Sequence, residues 1–381
     1  MNKTYRVIAL CFLLSLIPLA IHLYHNSNKR EHLEPTILSE TTNIPPPPSP
    51  EEELLQQMTT EEKVGQLFIF TIDGIQTLDQ ATQQFLSYTH PGGIILFQKN
   101  IQNENQLKSF ITLLQSTNKI PMFIAIDQEG GTVHRLEWNE TLTLPPKLIS
   151  TPQQAYALGV ARGKMLHHIG INMNLAPVVE YTPSTNSFIY PRTFNGDIYN
   201  VVEKSTNMIN GYKTSQIISV PKHFPGHGDG DIDPHEGIVS VNIPDTQWNE
   251  YIKPFSMLLL SSNIDAIMIG HIMFPNIDKY PASLSYEIIT NRLIKELNYN
   301  GIIISDAMEM KSISKFGTQE QIALQALSAG EDILIYSQYS EQSNVYDYIL
   351  QQVKQGTLNI DEKVKRILRL KMQYNILNPI N

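Results

Sequence analysis

The chain has 381 residues, with 28 lysines and arginines against 37 aspartates and glutamates, and its formal net charge is −9. This balance argues against a nucleic-acid partner, because proteins that bind nucleic acids usually carry a basic stripe. The only cysteine is Cys11, so the rest of the chain has neither disulfides nor thiolate metal ligands, and cysteine usage does not indicate the redox compartment.

Residues 1–24 have the pattern of an export or anchor segment. Lys3 and Arg6 precede residues 7–21, which carry no charge, and the apolar stretch extends to Tyr24. Its length approaches what a helix needs to span a bilayer. Because no convincing small-x-small cleavage site follows, an uncleaved signal-anchor is favoured over a cleaved signal peptide.

Residues 25–50 are predicted to be a spacer. They are polar and end in Pro-Pro-Pro-Pro-Ser-Pro, a run that cannot build a core and tends to the extended polyproline conformation. Residues 51–381 are predicted to form a single domain, and their number suits one α/β barrel with insertions.

Short apolar runs alternate with helical patterns through this domain, as expected for βα units. The predicted strands are residues 65–72, 93–97, 122–126, 171–178, 217–220, 266–269, 301–304 and 333–336. The predicted helices include residues 153–168, 291–297, 319–327 and 361–374. Eight strands favour a single (β/α)8 TIM-like barrel over a doubly wound sheet. No Gly-x-Gly-x-x-Gly or Walker loop supports a dinucleotide or nucleoside triphosphate cofactor, and we expect none.

The loop at residues 221–237 concentrates reactive side chains directly after the predicted strand 217–220. Glycines and prolines separate three histidines and three aspartates, a mixture that helix and strand interiors do not tolerate. These six residues are His223, His227, Asp229, Asp231, Asp233 and His235. Barrels of this class place their chemistry at the carboxyl ends of their strands, so the loop is predicted to border an active site.

Polar residues follow three other predicted strands. Asp127 and Glu129 come after strand 122–126, His271 follows strand 266–269, and Asp306 follows strand 301–304. Each alone could cap the next helix. Together at one end of a barrel they indicate a shared pocket.

Three motifs resemble the β-N-acetylglucosaminidases of glycoside hydrolase family 3. The most specific is Lys222-His223-Phe224-Pro225-Gly226-His227-Gly228, followed by Asp233-x-His235. Upstream stands Asp127-Gln128-Glu129-Gly130-Gly131-Thr132-Val133-His134-Arg135, and downstream stands Ser305-Asp306-Ala307-Met308. The resemblance runs over nearly all of residues 51–381 in the family's motif order.

The resemblance implies catalysis by Asp306 as nucleophile, with His235 as the proton donor and Asp233 beside it. A histidine titrates near neutral pH, so it can protonate the leaving oxygen and later deprotonate water, while the aspartate fixes its tautomer. This chain has Pro234 where the family usually has serine, which stiffens the loop but keeps both functional groups.

By the same resemblance, five residues would bind the sugar: Asp127, Arg135, Arg192, Lys222 and His223. Two structural alternatives to sugar binding remain open, in which Arg135 pairs with Glu129 and Lys222 pairs with Asp229. His271 and Glu129 are predicted to be pocket walls.

Three other interpretations remain open. A barrel metallohydrolase could use the histidines and carboxylates of loop 221–237, although barrel metal sites draw their ligands from several strands. An inactive glycan-binding protein is disfavoured because Asp306, Asp233 and His235 are all present. A phosphorylase of the same family would transfer the glycosyl group to phosphate, which a neutral histidine base would repel less than a carboxylate.

The sequence therefore predicts a retaining exo-β-N-acetylglucosaminidase that acts on peptidoglycan fragments or other glycans ending in N-acetylglucosamine, without a metal, as a monomer. Single-barrel members that resemble this chain are typically cytoplasmic. The apolar residues 7–24 instead predict an exported enzyme held at the membrane. In fractionated cells we expect the protein with the membranes. Its recovery in the soluble cytoplasmic fraction with residues 1–30 intact would contradict this prediction.

Overall fold

The computed structural model describes residues 47–229, 237–338 and 342–378. The predicted membrane segment and nearly all of the predicted spacer lie outside these ranges. Among the described helices, none has both the length and the apolar character needed to cross a bilayer. The anchor therefore stays a prediction.

Eight parallel strands form one sheet that curls into a nearly closed barrel. They are β1 Phe68–Phe70, β2 Gly93–Leu96, β3 Phe123–Ile126, β4 Met173–Asn174, β5 Ile218–Ser219, β7 Ala266–Ile269, β9 Ile302–Ala307 and β10 Ile333–Tyr336. Their order is β5-β4-β3-β2-β1-β10-β9-β7. Two further strands, β6 Val239–Ser240 and β8 Ile272–Met273, pair with each other. All eight predicted strands are present, and the predicted barrel is confirmed.

The segment that follows β5 brings the two edges of the sheet together. Phe224 N donates to Met268 O at 2.8 Å, and Met268 N donates to Pro221 O at 3.0 Å. Residues 221–224 thereby reach β7 across the gap. The conspicuous histidine-rich loop starts at this closure, so its first residues are held by backbone hydrogen bonds.

Several strands are shorter than predicted, for identifiable reasons. Gly65 ends a helix instead of starting a strand, because Thr59 and Glu62 form a capping box with bonds of 2.9 and 3.1 Å. In β4, side chains replace part of the backbone ladder. The amide oxygens of Asn172 and Asn174 accept from Ile124 N and Gln128 N at 2.8 and 3.0 Å.

Helices surround the barrel. The α-helices of the described residues are α1 Pro50–Gln57, α2 Thr60–Gly65, α3 Gln80–Thr89, α4 Glu104–Gln115, α5 Glu140–Thr143, α6 Pro152–His168, α7 Ile198–Thr214, α8 Trp248–Tyr251, α9 Lys253–Ser261, α10 Gln319–Ala329, α11 Gln342–Lys354 and α12 Asp361–Gln373. The predicted helix 291–297 is instead part of a π-helix, Glu287–Glu296. Short 3₁₀ turns occur at Gln98–Asn100, Pro146–Leu148, Tyr190–Arg192, Asp245–Gln247, Ala282–Leu284 and Ser314–Phe316.

Helices α6 and α7 approach each other closely, and α7 also packs against β5. A Cβ atom at Gly159 would lie 2.4 Å from Met208 O, and one at Gly211 would lie 2.4 Å from Tyr156 O. Only glycine permits such contact between the two backbones. This packing supports the side of the barrel from which the histidine-rich loop emerges.

Candidate active site

A cavity of about 460 Å³ opens at the carboxyl ends of the barrel strands. Its volume suits a small ligand such as one sugar ring. Six of the predicted site residues line it, namely Asp127, Arg135, Arg192, Lys222, His223 and Asp306. The predicted Asp233 and His235 lie outside the described residues.

Glu129, which lines this cavity, forms ion pairs with two cationic side chains. Arg192 makes a bidentate ion pair with the Glu129 carboxylate. Its Nη2 lies 2.8 Å from Oε1 and its Nε lies 3.0 Å from Oε2. Lys222 Nζ lies 2.6 Å from Glu129 Oε1 and 2.7 Å from Asp127 Oδ1. The side chains of Glu129 and Lys222 are only 1% and 3% exposed, so these charges depend on their mutual pairing.

Glu129, Arg192 and Lys222 form a buried ion cluster, and their mutual attraction keeps its members charged. Burial alone would raise the pKa of Glu129, but the charges of Arg192 and Lys222 lower it to about 2. Burial would likewise lower the pKa of Lys222, yet Asp127 and Glu129 hold it above its usual value. The cavity floor therefore presents fixed ions at neutral pH.

Asp306 stands near the end of β9 and lines the cavity. The N–H of Ala307 donates to Asp306 Oδ1 at 2.8 Å. Burial opposes ionisation of this carboxyl. Its pKa is nevertheless lowered to about 2 by the neighbouring groups, which are His223, His271, the Ala307 N–H and Lys222. A carboxylate that is ionised and faces a sugar-sized cavity can act as a nucleophile.

Glu180 organises two histidines behind the cavity, and the sequence reasoning missed it. His223 Nδ1 and His227 Nδ1 lie 2.8 and 2.9 Å from Glu180 Oε1. The backbone N–H groups of the same two histidines also donate to Glu180, at 3.2 and 2.5 Å. Although burial opposes it, both histidines hold the pKa of Glu180 well below its usual range. Glu180 directly follows the apolar run after β4, the signal that singled out Asp127 and Asp306.

His223 is fixed in one tautomer. Arg192 Nη2 lies 3.3 Å from His223 Nε2, and because a guanidinium can only donate, this nitrogen accepts. Its proton therefore resides on Nδ1, toward Glu180. Burial lowers the pKa of His223 to about 4, so the ring is neutral at pH 7.

The structure shows neither of the ion pairs considered as alternatives, Arg135 with Glu129 or Lys222 with Asp229. Lys222 contacts Asp127 and Glu129, while Asp229 accepts a hydrogen bond from Thr182 Oγ1 at 2.6 Å. Arg135 Nη2 lies 3.4 Å from Asp127 Oδ2 instead of pairing with Glu129. Each basic residue therefore has a different partner from the one considered from the sequence.

The prediction that both Glu129 and His271 form pocket walls is half right. Glu129 lines the cavity, whereas His271 is 1% exposed and lies behind it. Its Nδ1 is 2.7 Å from Ser283 Oγ, and its Nε2 is 2.9 Å from Ala307 O. The ring therefore supports the backbone next to Asp306.

Potential metal ligands converge at one place in the part of the chain that the structure describes. The group consists of Glu180, His223 and His227, whose ligand atoms lie within 4.8 Å of one another. Since the Glu180 carboxylate already accepts two ring N–H and two backbone N–H bonds, this geometry is that of a hydrogen-bonded hub. Asp231, Asp233 and His235 lie outside the described residues.

Replacement of Glu129 by glutamine tests the buried ion cluster. A depressed carboxyl pKa contributes stability that is present above the unfolded value near 4.5 and is lost as pH falls toward 2. We expect Glu129→Gln to lower the free energy of unfolding by roughly 3 kcal/mol at pH 7. Urea unfolding measured from pH 7 to pH 3 should show the gap from the native protein shrinking below pH 4.5.

Glu250→Gln provides the matched control. Glu250 forms an exposed pair with Lys253 at 3.1 Å, and its side chain is 76% exposed. Such pairs contribute little, so its loss should change stability by less than about 0.5 kcal/mol. An equal effect of both substitutions, or a Glu129→Gln effect that does not depend on pH, would contradict the account of the cluster.

Comparison with known proteins agrees with the geometry. Residues 59–370 match the family model described as the glycosyl hydrolase family 3 N terminal domain. Beta-hexosaminidase A of Pseudoalteromonas piscicida is 33% identical over 285 residues, which are 68% of this chain and 48% of that protein. The Beta-hexosaminidase of Haemophilus influenzae is 31% identical over 268 residues, 68% of this chain and 76% of that protein.

A solved structure is similar over most of the domain. It is a glycoside hydrolase family 3 beta-N-acetylglucosaminidase from Paenibacillus sp., with a TM-score of 0.79 and 32% identity. The match covers 84% of this chain and 63% of that one. This chain thus spans about half of the Pseudoalteromonas protein and less than two thirds of the Paenibacillus one. The family predicted from the motifs is confirmed, and the chain belongs to glycosyl hydrolase family 3.

Proposed function

We propose that the protein is a retaining exo-β-N-acetylglucosaminidase that removes terminal β-linked N-acetylglucosamine. The observation that carries the proposal is the ionised Asp306 in the lining of a sugar-sized cavity that Asp127, Lys222 and Arg192 also line. Carboxylate and cationic groups together suit a ring with several hydroxyl groups. Relatives named Beta-hexosaminidase support the same activity.

The proposed reaction has two steps. Asp306 forms a bond to the anomeric carbon while the glycosidic bond breaks, and the leaving oxygen takes a proton from His235. A water molecule then attacks the anomeric carbon, His235 takes the water's proton, and the bond to Asp306 breaks. The family resemblance supports the roles of His235 and Asp233.

Peptidoglycan fragments are the natural substrate that we propose. The support comes from sequence, since residues 1–50 predict an enzyme held outside the cytoplasm, where it would meet cell-wall glycan. A glycosidase with this specificity would act on the N-acetylglucosamine at the non-reducing end of such fragments.

Asp306→Ala tests the nucleophile. We expect kcat/KM to fall by roughly 10⁴-fold or more, since no covalent intermediate can form. With the native enzyme and a fluorinated glycoside, peptide mass mapping should find a sugar adduct on Asp306. An adduct on Asp229, Asp231 or Glu309 would place the nucleophile elsewhere.

His235→Ala tests the proton donor by comparing leaving groups. An alkoxide needs a proton to depart and a nitrophenolate hardly does. We therefore expect a loss of roughly 10²- to 10⁴-fold on a natural disaccharide and a much smaller loss in glycosylation by a nitrophenyl glycoside. Stopped-flow and mass measurements should show the glycosyl-enzyme accumulating, because its hydrolysis lacks a base.

Asp233→Asn is the graded variant for this experiment. It keeps the imidazole but removes the charge that orients it, so a weaker form of the same pattern is expected. Equal slowing of both substrates by His235→Ala, without a trapped intermediate, would make His235 a binding or structural residue.

A further inference from the structure

His227 carries a buried polar atom that the reaction above leaves unused. The residue is 3% exposed and lines the cavity described above. Its Nε2 has no hydrogen-bond partner among the described residues. Buried polar atoms are nearly always paired in folded proteins, so an unpaired one on a cavity wall points to a ligand.

Glu180 determines what this atom can do. His227 Nδ1 lies 2.9 and 3.1 Å from the two oxygens of the Glu180 carboxylate, which is held ionised. A carboxylate only accepts, so the ring proton resides on Nδ1. His227 Nε2 therefore presents a lone pair, and its missing partner is a hydrogen-bond donor.

The neighbours of His227 add two complementary surfaces. The Phe188 ring lies edge-on to His227, with 6.1 Å between the ring centroids. The Arg192 guanidinium lies over the same Phe188 ring, 5.5 Å from its centroid. All three side chains line the cavity. This corner thus offers an acceptor, an apolar ring and a donor side by side.

We propose that this corner recognises the 2-acetamido group of the substrate, with His227 as a specificity-determining residue. An acetamide has one N–H donor, one carbonyl acceptor and one methyl group. His227 Nε2 accepts from the N–H, Arg192 donates to the carbonyl, and Phe188 contacts the methyl. Glu180 is the positioning residue that fixes the histidine tautomer. The inference rests on the proposed function and deepens it.

The test compares two nitrophenyl β-glycosides that differ only in the group that joins the acetyl group to C2. One carries the 2-acetamido group, and the other carries a 2-O-acetyl ester, which keeps the carbonyl and the methyl but lacks the N–H. The native enzyme should prefer the amide. In His227→Asn the amide nitrogen can replace Nδ1 toward Glu180, but nothing replaces Nε2. We expect its amide-to-ester ratio of kcat/KM to fall roughly 10-fold or more, the scale of one buried hydrogen bond.

Three variants separate recognition from structure. His227→Gln extends a carboxamide toward the Nε2 position, so it should restore part of the ratio. His271→Asn changes a buried histidine that does not line the cavity, and it should slow both glycosides alike without changing the ratio. A Glu180→Gln variant that remains folded should lose the preference as His227→Asn does, because an amide no longer fixes the proton on Nδ1.

Binding of the free sugars separates this inference from the proposed function. By titration calorimetry, N-acetylglucosamine should bind the native protein more tightly than glucose, and His227→Asn should remove most of that difference. This readout needs no turnover, so it decides the role of His227 even if the native protein cleaves neither glycoside, which would overturn the function instead. A folded His227→Asn variant with an unchanged kcat/KM ratio and unchanged sugar preference would overturn the inference.

Discussion

The buried ion cluster at the carboxyl end of the barrel is the interaction on which the site depends. Glu129 follows β3, Arg192 ends a turn between β4 and α7, and Lys222 follows β5. Each charge would be costly to bury alone, and together they hold three separate segments at one place. Because Lys222 also belongs to the segment that closes the barrel onto β7, closure and charge pairing support each other.

Glu129, Glu180 and Asp306 share this end of the barrel, but the first two are buried and Asp306 is partly exposed. Glu129 and Glu180 each accept several hydrogen bonds or ion pairs, so their lone pairs are occupied by protein groups. Asp306 also accepts from a backbone N–H, and the residue lines the cavity. The first two can position arginine, lysine and histidine side chains, and the third has the surroundings that a nucleophile requires. This division of roles supports the proposed reaction.

Sequence reasoning found the strands because buried parallel strands have continuous apolar runs, and it found Asp127 and Asp306 because they end such runs. It could not choose ion-pair partners. Lys222 seemed able to reach Asp229, seven residues away, but its partners Asp127 and Glu129 are more than ninety residues distant and are brought close by strand order. Glu180 also follows an apolar run, so the same rule could have predicted it. The buried position of His271 depends on side-chain direction, which periodicity alone did not resolve.

The proposed reaction passes through a covalent bond between Asp306 and the anomeric carbon, which implies two inversions and net retention. Proton NMR of the sugar released in the first minutes, before mutarotation, tests this most directly. With a β-linked N-acetylglucosaminide we expect the β-anomer as the first product. The α-anomer as the first product would contradict the proposed reaction, because a single displacement by water would then replace the glycosyl-enzyme.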